Sequence, residues 1–474
     1  MALPLVGPWE RESLRCVSIV LAGLGQNERV MADAAAFPLP PGPPRRSALR
    51  LLRTLTRDPL GLLEELRAYG TVGYARIGPQ PVYLVSEPDL IEKVLLNPDA
   101  FTKGRALERS KRLLGEGLLT SEGAFHLRQR RLVQPAFHRA RIQGYARVMI
   151  EYADRWSVGQ QSGRRIDLAR EMNRLTLAIV ARALFDADVE SDADHVGGAL
   201  TAILEQFRLV VLPWSSLLES LPLPRRFRFE RARRSLDEVV YRFIAEHRAG
   251  GTDRGDLLSM LLAAQEDGRG MTDQQVRDEA MTLLLAGHET TANALTWTWT
   301  LLARHADAAD RIASEVRQVC GDGALSPEAV PALAFTRSVM AEGMRLYPPA
   351  WLMGRRAWKA WSLGPYTVPP GAIVLMAQWL MHRDARYFPD PLRFDPLRWT
   401  ADAEAARPRF SYFPFGAGNR VCVGEAFAWT EGVVVLAAIA RRWRVVVDGA
   451  PIGVWPGITL RPAGPVWAAL EPRE

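Results

Sequence analysis

The segment Phe415-Gly-Ala-Gly-Asn-Arg-Val-Cys-Val-Gly424 carries the strongest signal in this sequence, and an apolar stretch from about Glu425 to Arg441 follows it. The apolar stretch predicts a buried helix. A cysteine just before a helix lies where the positive end of the helix dipole and the free backbone N–H groups stabilise a thiolate. Cys422 is therefore the candidate metal ligand, and the alternative is a buried structural cysteine.

Three neighbours of Cys422 suit a flat ligand that carries negative charge. Gly418 and Gly424 permit a tight loop and a close approach of the backbone to the ligand. Arg420 offers a positive charge to a carboxylate.

The composition fits one large globular unit. The chain has 474 residues, of which 48% are hydrophobic and 24% charged, and no linker divides it after residue 45. We expect an N-terminal extension with a proline-rich segment over 1–44 and a single domain over 45–474. The net charge of +7 comes mostly from scattered arginines that form no basic stripe, which argues against a nucleic-acid partner.

Cysteine usage and hydropathy indicate a cytoplasmic protein. Cys16, Cys320 and Cys422 are too few and too far apart to form a disulfide framework, so we expect a reducing compartment. No apolar run approaches the roughly 18 residues that span a bilayer, so we expect no transmembrane anchor.

Hydrophobic periodicity predicts a mainly α protein with small sheets. Short strands are expected at 74–77 and 82–85, and helices over 59–69, 140–185, 193–210, 230–248 and 273–304. The last helix opens with a capping box, because Thr272 precedes Gln275 by three residues. At about 1.5 Å per residue it would run about 48 Å, the width of a domain of this size.

The middle of this long helix reads Ala286-Gly-His-Glu-Thr-Thr291. A mid-helix glycine costs about 1 kcal/mol relative to alanine, so Gly287 needs a reason to be there. Thr290 can donate to a carbonyl one turn earlier and bend the helix. The alternative is a crossing of two helices at small residues, with the hydroxyl satisfied locally.

Two further helical spacings place charged groups together. Glu342-Gly-Met-Arg345 puts a carboxylate and a guanidinium at i and i+3, although such a pair alone is usually an exposed ion pair. His126 and Arg130 share one face of a helix at i and i+4, and a solvated arginine face is the alternative.

Together these segments, in this order, resemble the cytochrome P450 superfamily over about residues 45 to 465. The resemblance implies the cytochrome P450 fold, helix-rich with small sheets and a long central helix over a haem b group. It assigns the axial thiolate to Cys422 and a proton relay to Glu289 and Thr290, and treats His288 as a bystander. The remaining haem contacts that it implies are Ala286, Gly287, His126, Arg130, Arg355, Phe415, Gly418, Arg420 and Gly424, with Arg356 as the competitor of Arg355.

In the same family the Glu342 and Arg345 pair joins an arginine of a later segment, here Arg398 in Phe394-Asp-Pro-Leu-Arg-Trp399. Leu397 stands where glutamate is common, and Trp399 stands where phenylalanine is common. These departures leave the role of the arginine intact.

The implied activity is a monooxygenase that inserts one atom of O2 into an apolar substrate by hydroxylation or epoxidation. A monomer fed by a ferredoxin and a ferredoxin reductase is expected, with docking near Arg128 and Arg131. A peroxide-driven peroxygenase is one alternative, which the Glu289 and Thr290 pair argues against. A haem-thiolate sensor or ligand carrier without turnover is the other.

Substrate identity is the least determined feature. The expected cavity segments are 101–118, 201–230, Ala350 to Met353 and 455–460, and the second is strongly apolar. The sequence most resembles bacterial members that act on long apolar chains, fatty acids or carotenoids, and terpenoids and steroids stay open.

Overall fold

The computed structural model of this chain describes residues 38–44, 48–78, 80–188, 196–199, 224–250, 254–266, 269–321 and 323–473. The expected cavity segment 201–230 lies outside the described residues up to 223.

Helices make up most of the described chain. Their bounds are α1 (Ala48–Arg57), α2 (Pro59–Arg67), α3 (Pro88–Leu95), α4 (Arg105–Leu114), α5 (Gly123–Val133), α6 (Arg139–Val158), α7 (Leu168–Phe185), α8 (Pro224–Gly250), α9 (Leu257–Ala263), α10 (Asp273–Leu302), α11 (Ala306–Cys320), α12 (Ala334–Leu346), α13 (Gln378–Met381), α14 (Ala401–Ala406) and α15 (Glu425–Arg442).

Strands are short and belong to small sheets. Their bounds are β1 (Val72–Ile77), β2 (Gln80–Val85), β3 (Phe101–Lys103), β4 (Arg165–Asp167), β5 (Gln265–Glu266), β6 (Arg269–Gly270), β7 (Met353–Ala357), β8 (Trp361–Leu363), β9 (Tyr366–Val368), β10 (Ile373–Met376), β11 (Trp443–Val447), β12 (Val454–Pro456), β13 (Leu460–Pro462) and β14 (Trp467–Pro472).

The central helix α10 forms as the sequence predicts. Thr272 accepts a hydrogen bond from the backbone N–H of Gln275, whose side chain accepts one from the backbone of Thr272, so the capping box is complete. Most of its 30 residues are buried, because α10 packs against α7, α8 and α12. The helix ends two residues earlier than expected, at Leu302.

The largest sheet joins strands that are far apart in sequence, in the order β1-β2-β10-β7-β3. Strand β2 pairs with β1 in an antiparallel hairpin and with β10 in parallel, so that Ile373 lies beside Val82. At the other edge β3 pairs with β7, and Lys103 lies directly opposite Arg355. This register brings two basic side chains to the same edge of the sheet.

Two structural details refine the sequence expectations. The helical stretch 140–185 is two helices, α6 and α7, with β4 between them. The proline-rich segment is attached to the sheet, since the carbonyl of Pro41 accepts a hydrogen bond from the backbone N–H of Tyr74. Among the described residues, none of the helices is both long and apolar enough to cross a membrane.

Candidate active site

A cavity of about 980 Å³ lies between α10 and the loop that carries Cys422. Most of its lining is apolar, with leucines, isoleucines and valines from α2, the large sheet and the β12–β13 hairpin. The expected site residues that line it are His126, Arg130, Ala286, Gly287, Thr290, Arg355, Phe415, Arg420, Cys422 and Gly424. The fold therefore brings together segments that are up to about 300 residues apart in the sequence.

The loop around Cys422 is held from within. The backbone N–H of Cys422 donates to the carbonyl of Phe415 at 2.9 Å. Gly418 has φ +71°, and a Cβ there would lie 2.7 Å from the carbonyl oxygen of Leu95, so only glycine fits. Gly424 has φ −90° at the start of α15 and is under no such constraint.

Desolvation by the surrounding protein raises the pKa of the Cys422 thiol to about 11, although the nearby backbone N–H of Gly424 opposes this. The sulfur is exposed at the cavity wall, so it is accessible to a metal ion bound there.

Basic side chains surround one edge of the cavity. Arg130 donates to the carbonyl of Val421 at 2.8 Å, and Arg420 donates to that of Phe101 at 2.8 Å and to the carboxylate of Glu122. Lys103, which the sequence analysis missed, is buried among them and donates to two carbonyls of the 115–121 segment.

Arg355 and its competitor Arg356 are consecutive residues of strand β7. Successive side chains of a strand point to opposite faces. Arg355 is buried and lines the cavity, whereas Arg356 is half-buried and pairs with Glu108 at 3.9 Å. The structure therefore places Arg355, and not Arg356, at the cavity.

The basic side chains at this edge of the cavity carry more positive charge than the neighbouring carboxylates neutralise. Lys103, Arg355 and Arg420 face Glu122, and the Nε of Arg420 is buried without a hydrogen-bond partner. Burial, and after it the charge of Arg420, lower the pKa of Arg355 to about 10. Such a group fits a ligand with two carboxylates, and the glycine loop fits a flat one. The residues present therefore fit the haem that the sequence implies.

His126 is buried beside this group. Its Nδ1 lies 3.2 Å from the hydroxyl of Ser121, and its ring lines the cavity. Burial and the nearby Lys103 lower its pKa to about 4, so the ring is neutral at neutral pH.

The wall formed by α10 presents a hydroxyl to the cavity. Thr290 donates to the carbonyl of Ala286 at 2.7 Å, one turn earlier, as expected. A Cβ on Gly287 would lie 3.3 Å from Val180 of α7, so a small residue lets the two helices approach closely. His288 is buried away from the cavity, and its Nδ1–H donates to the carbonyl of Leu284 at 2.9 Å.

Glu289 lies on a different face of α10 from the cavity. Its carboxylate accepts a hydrogen bond from the hydroxyl of Thr459 at 2.7 Å, and Asn293 donates to the same hydroxyl at 3.2 Å. Burial raises the pKa of Glu289, although the hydrogen bond from Thr459 lowers it. The structure thus joins Glu289 to the β12–β13 hairpin rather than to Thr290.

Glu342 and Arg345 form a fully buried pair on α12. Two hydrogen bonds of 2.8 Å join them, and the Nε of Arg398 lies 3.5 Å from Glu342. The indole N–H of Trp399 donates to Glu342 at 3.0 Å. The tryptophan that replaces the usual phenylalanine therefore adds a hydrogen bond to the pair.

Sequence reasoning missed Lys103 and Glu122. Glu122 accepts hydrogen bonds from the backbone N–H of Lys103 and from Arg420. The available signal was the rarity of lysine, since the chain has lysine only at positions 93, 103, 111 and 359.

Comparisons with known proteins point to one family. The family model described as Cytochrome P450 matches residues 40–462. Cyclooctatin synthase from Streptomyces melanosporofaciens is 43% identical over 426 residues, which cover 88% of this chain and 92% of that protein. Cyclooctat-9-en-7-ol 5-monooxygenase from the same organism is 37% identical over 430 residues, with 88% and 92% covered.

A solved structure shows the same fold. The crystal structure of the cytochrome P450DA heme domain superposes with a TM-score of 0.82 at 25% sequence identity. The match covers 92% of this chain and 98% of that one. The expected helix-rich fold with small sheets is confirmed.

Proposed function

This chain belongs to the cytochrome P450 family, and from that premise we propose haem b as its cofactor, a ferredoxin with its reductase as its electron donor, and a compact terpenoid as its substrate. Membership itself establishes the coarser features. The chain is a haem-dependent monooxygenase that uses O2, an apolar substrate and electron-transfer partners.

The cavity lining and the name of one relative support a terpenoid substrate. The lining away from the basic group is almost entirely apolar, which suits a hydrocarbon or a mono-alcohol and not a polar molecule. Cyclooctat-9-en-7-ol is by its name an unsaturated alcohol, and a relative 37% identical acts on it. Fatty acids and carotenoids are the alternatives that the sequence suggested.

Haem held by a thiolate supplies the reductive activation of O2. Cys422 would bind the metal, while Arg130, Arg355, Arg420 and His126 would hold the carboxylates. Gly418 does not line the cavity; it lets the loop pack closely against the backbone of Leu95.

The chain's own contribution to the chemistry is the placement of a proton and the exclusion of water. Thr290 holds its hydroxyl at the cavity wall, where the oxygen can hold a water molecule or pass a proton. The apolar lining limits the number of other waters that could deliver protons less selectively. Glu289 would supply the proton to this hydroxyl after its side chain breaks the hydrogen bond with Thr459 and turns towards Thr290. Its raised pKa favours the protonated form of the carboxyl group.

We propose electron delivery at the face of α5 that carries Arg128 and Arg131. Arg131 is exposed, and it lies one residue after Arg130 at the cavity. An acidic partner docked there would be steered by charge, so its rate of reduction should fall steeply with ionic strength. A monomer in the cytoplasm, where a ferredoxin can reach this face, completes the proposal.

The presence of Cys422 and Thr290 on one apolar cavity is the observation that carries the function. Thr290→Ala should keep haem content and substrate affinity but release hydrogen peroxide in place of product, because the positioned proton donor is lost. A positioned proton donor contributes about 10²–10⁴-fold to its step, and water can replace part of this.

Thr290→Ser is the matched control, since it retains the hydroxyl. Product, peroxide and NADPH are measured together with reconstituted redox partners. If Thr290→Ala keeps the wild-type ratio of product to NADPH, the hydroxyl only satisfies the helix. If no lipophilic substrate stimulates NADPH consumption, the chain is a sensor or carrier, and turnover with peroxide alone would identify a peroxygenase.

A further inference from the structure

The segment 115–121 lies over α10 and supplies Leu118 and Leu119 to the cavity lining. Two consecutive acids of α10 hold its backbone. The N–H of Glu116 donates to Asp278 at 2.8 Å, and that of Leu118 donates to Glu279 at 2.9 Å. Both acids are buried, so these bonds are shielded from water.

Lys103 holds two carbonyls of the segment, and Lys111 pairs with the exposed side chain of Glu116 at 2.8 Å. The ammonium of Lys103 donates to the carbonyl of Leu118 at 2.9 Å and to that of Ser121 at 2.7 Å. Lys103 is 5% exposed, and it lies in strand β3 directly opposite Arg355. The segment is therefore fixed between carboxylates on α10 and a lysine at the edge of the sheet.

Lys103 also belongs to the basic group at the cavity. Glu122 and Glu279 face it and favour its charge, whereas Arg355 and Arg420 face it and oppose that charge. Burial is the largest effect, and together these influences lower the pKa of Lys103 to about 7. Any carboxylate that binds to the arginines would relieve the repulsion and restore the charge on Lys103.

We propose that Lys103 couples the haem carboxylates to the 115–121 segment, so that binding of the carboxylates strengthens the hold of Lys103 on this wall of the substrate cavity. Linkage makes the coupling reciprocal, so the closed segment in turn slows the loss of haem. Lys103 is thus a positioning residue that acts through the segment and touches no reacting atom.

The test compares the holoenzyme carrying haem with holoenzyme reconstituted with the dimethyl ester of haem, which lacks both negative charges. Hydrogen exchange is followed in peptides that contain the amides of Glu116 and Leu118. The rate of haem transfer to apomyoglobin is measured in parallel.

In the wild type, the ester should speed exchange of these amides by about tenfold to a hundredfold, the range that corresponds to the loss of one hydrogen bond to a charged group. In Lys103→Met carrying haem, the same amides should exchange as fast as they do in the wild type carrying the ester. Replacing haem by the ester in Lys103→Met should then change their exchange rate little. Haem transfer should accelerate in the same order.

Lys93→Met is the matched control, because Lys93 is an exposed lysine of α3. It should behave as the wild type in both measurements. Lys103→Arg should restore most of the protection by retaining a cation, and it keeps the test informative if Lys103→Met folds poorly. Glu279→Gln should loosen the segment with either haem.

The proposal is overturned if the ester changes exchange equally in wild type and Lys103→Met, or if neither responds. The absorbance band of the reduced, carbon monoxide-bound enzyme is recorded for every sample. It reports thiolate ligation separately, so a failure of this coupling is distinguishable from a failure of the proposed function.

Discussion

The pair Glu342 and Arg345 allows a quantitative prediction, because both side chains are fully buried. Replacing Glu342 by glutamine keeps the shape of the side chain but leaves the Arg345 guanidinium without its counter-ion. Breaking a buried pair in this way costs about 3–5 kcal/mol. Proteins of ordinary stability have about 5–15 kcal/mol in total, so we expect this variant to lose a large part of its free energy of unfolding.

The double variant Glu342→Met with Arg345→Met is the sharper case. Replacing both members of a buried pair by apolar residues is often neutral. Here the pair also makes hydrogen bonds to five other groups. Arg345 donates to the backbone carbonyls of His382, Pro391 and Arg393. Glu342 accepts from the backbone N–H of Asp395 and from the indole N–H of Trp399. Each buried group left unpaired costs about 1–3 kcal/mol, so the double variant should lose on the order of 5 kcal/mol or more.

The free energy of unfolding is measured by urea titration, followed through the haem absorbance. Glu230→Gln is the matched control, because Glu230 and Arg233 have the same i, i+3 spacing but are partly exposed, and such a pair contributes about 0–1 kcal/mol. A double variant within about 1 kcal/mol of the wild type would refute the view that the pair organises these five groups.

Three further changes test other parts of the site. Cys422→Ser should abolish the carbon monoxide band after which the family is named, whereas Cys320→Ser should retain it; the reverse result would reassign the ligand. Thr459→Val should raise the pKa of Glu289 further, because it removes a hydrogen bond to the carboxylate. The alkaline limb of the pH profile of product formation should then move to higher pH. An unchanged pH profile would show that Glu289 takes no part in the proton relay. Trp399→Phe should cost about 1.5–3 kcal/mol of stability, the contribution of one hydrogen bond to a charged group, and a urea midpoint equal to that of the wild type would contradict this.

Local signals in the sequence predicted the elements that depend on neighbouring residues. The capping box at Thr272, the helix after Cys422 and the back-bonded hydroxyl of Thr290 all involve partners within four residues. Each of these is present in the structure, apart from shifts of one or two residues at helix ends.

Features that depend on distant partners were not predictable in the same way. Glu289 forms a hydrogen bond with Thr459, which is 170 residues away in the sequence. No residue near Glu289 in the sequence therefore indicates that its side chain points to the hairpin and not to Thr290. The burial of Arg345 depends on carbonyls that lie 37 to 48 residues later in the chain. Lys103 becomes part of the site only because strand register places it opposite Arg355.

The parallel pairing of β2 with β10 also bears on how the protein is made. Val82 and Ile373 cannot meet until nearly 300 intervening residues have been synthesised, so this pairing forms late and contributes a high contact order. Until then the edge of β2 that β10 later covers stays open, and open strand edges invite aggregation. Cys422 follows β10 in the chain, so synthesis of the haem-binding loop finishes only after the last strand of this sheet is available. Yield of the holoprotein should therefore depend on chaperone supply and haem supply late in translation.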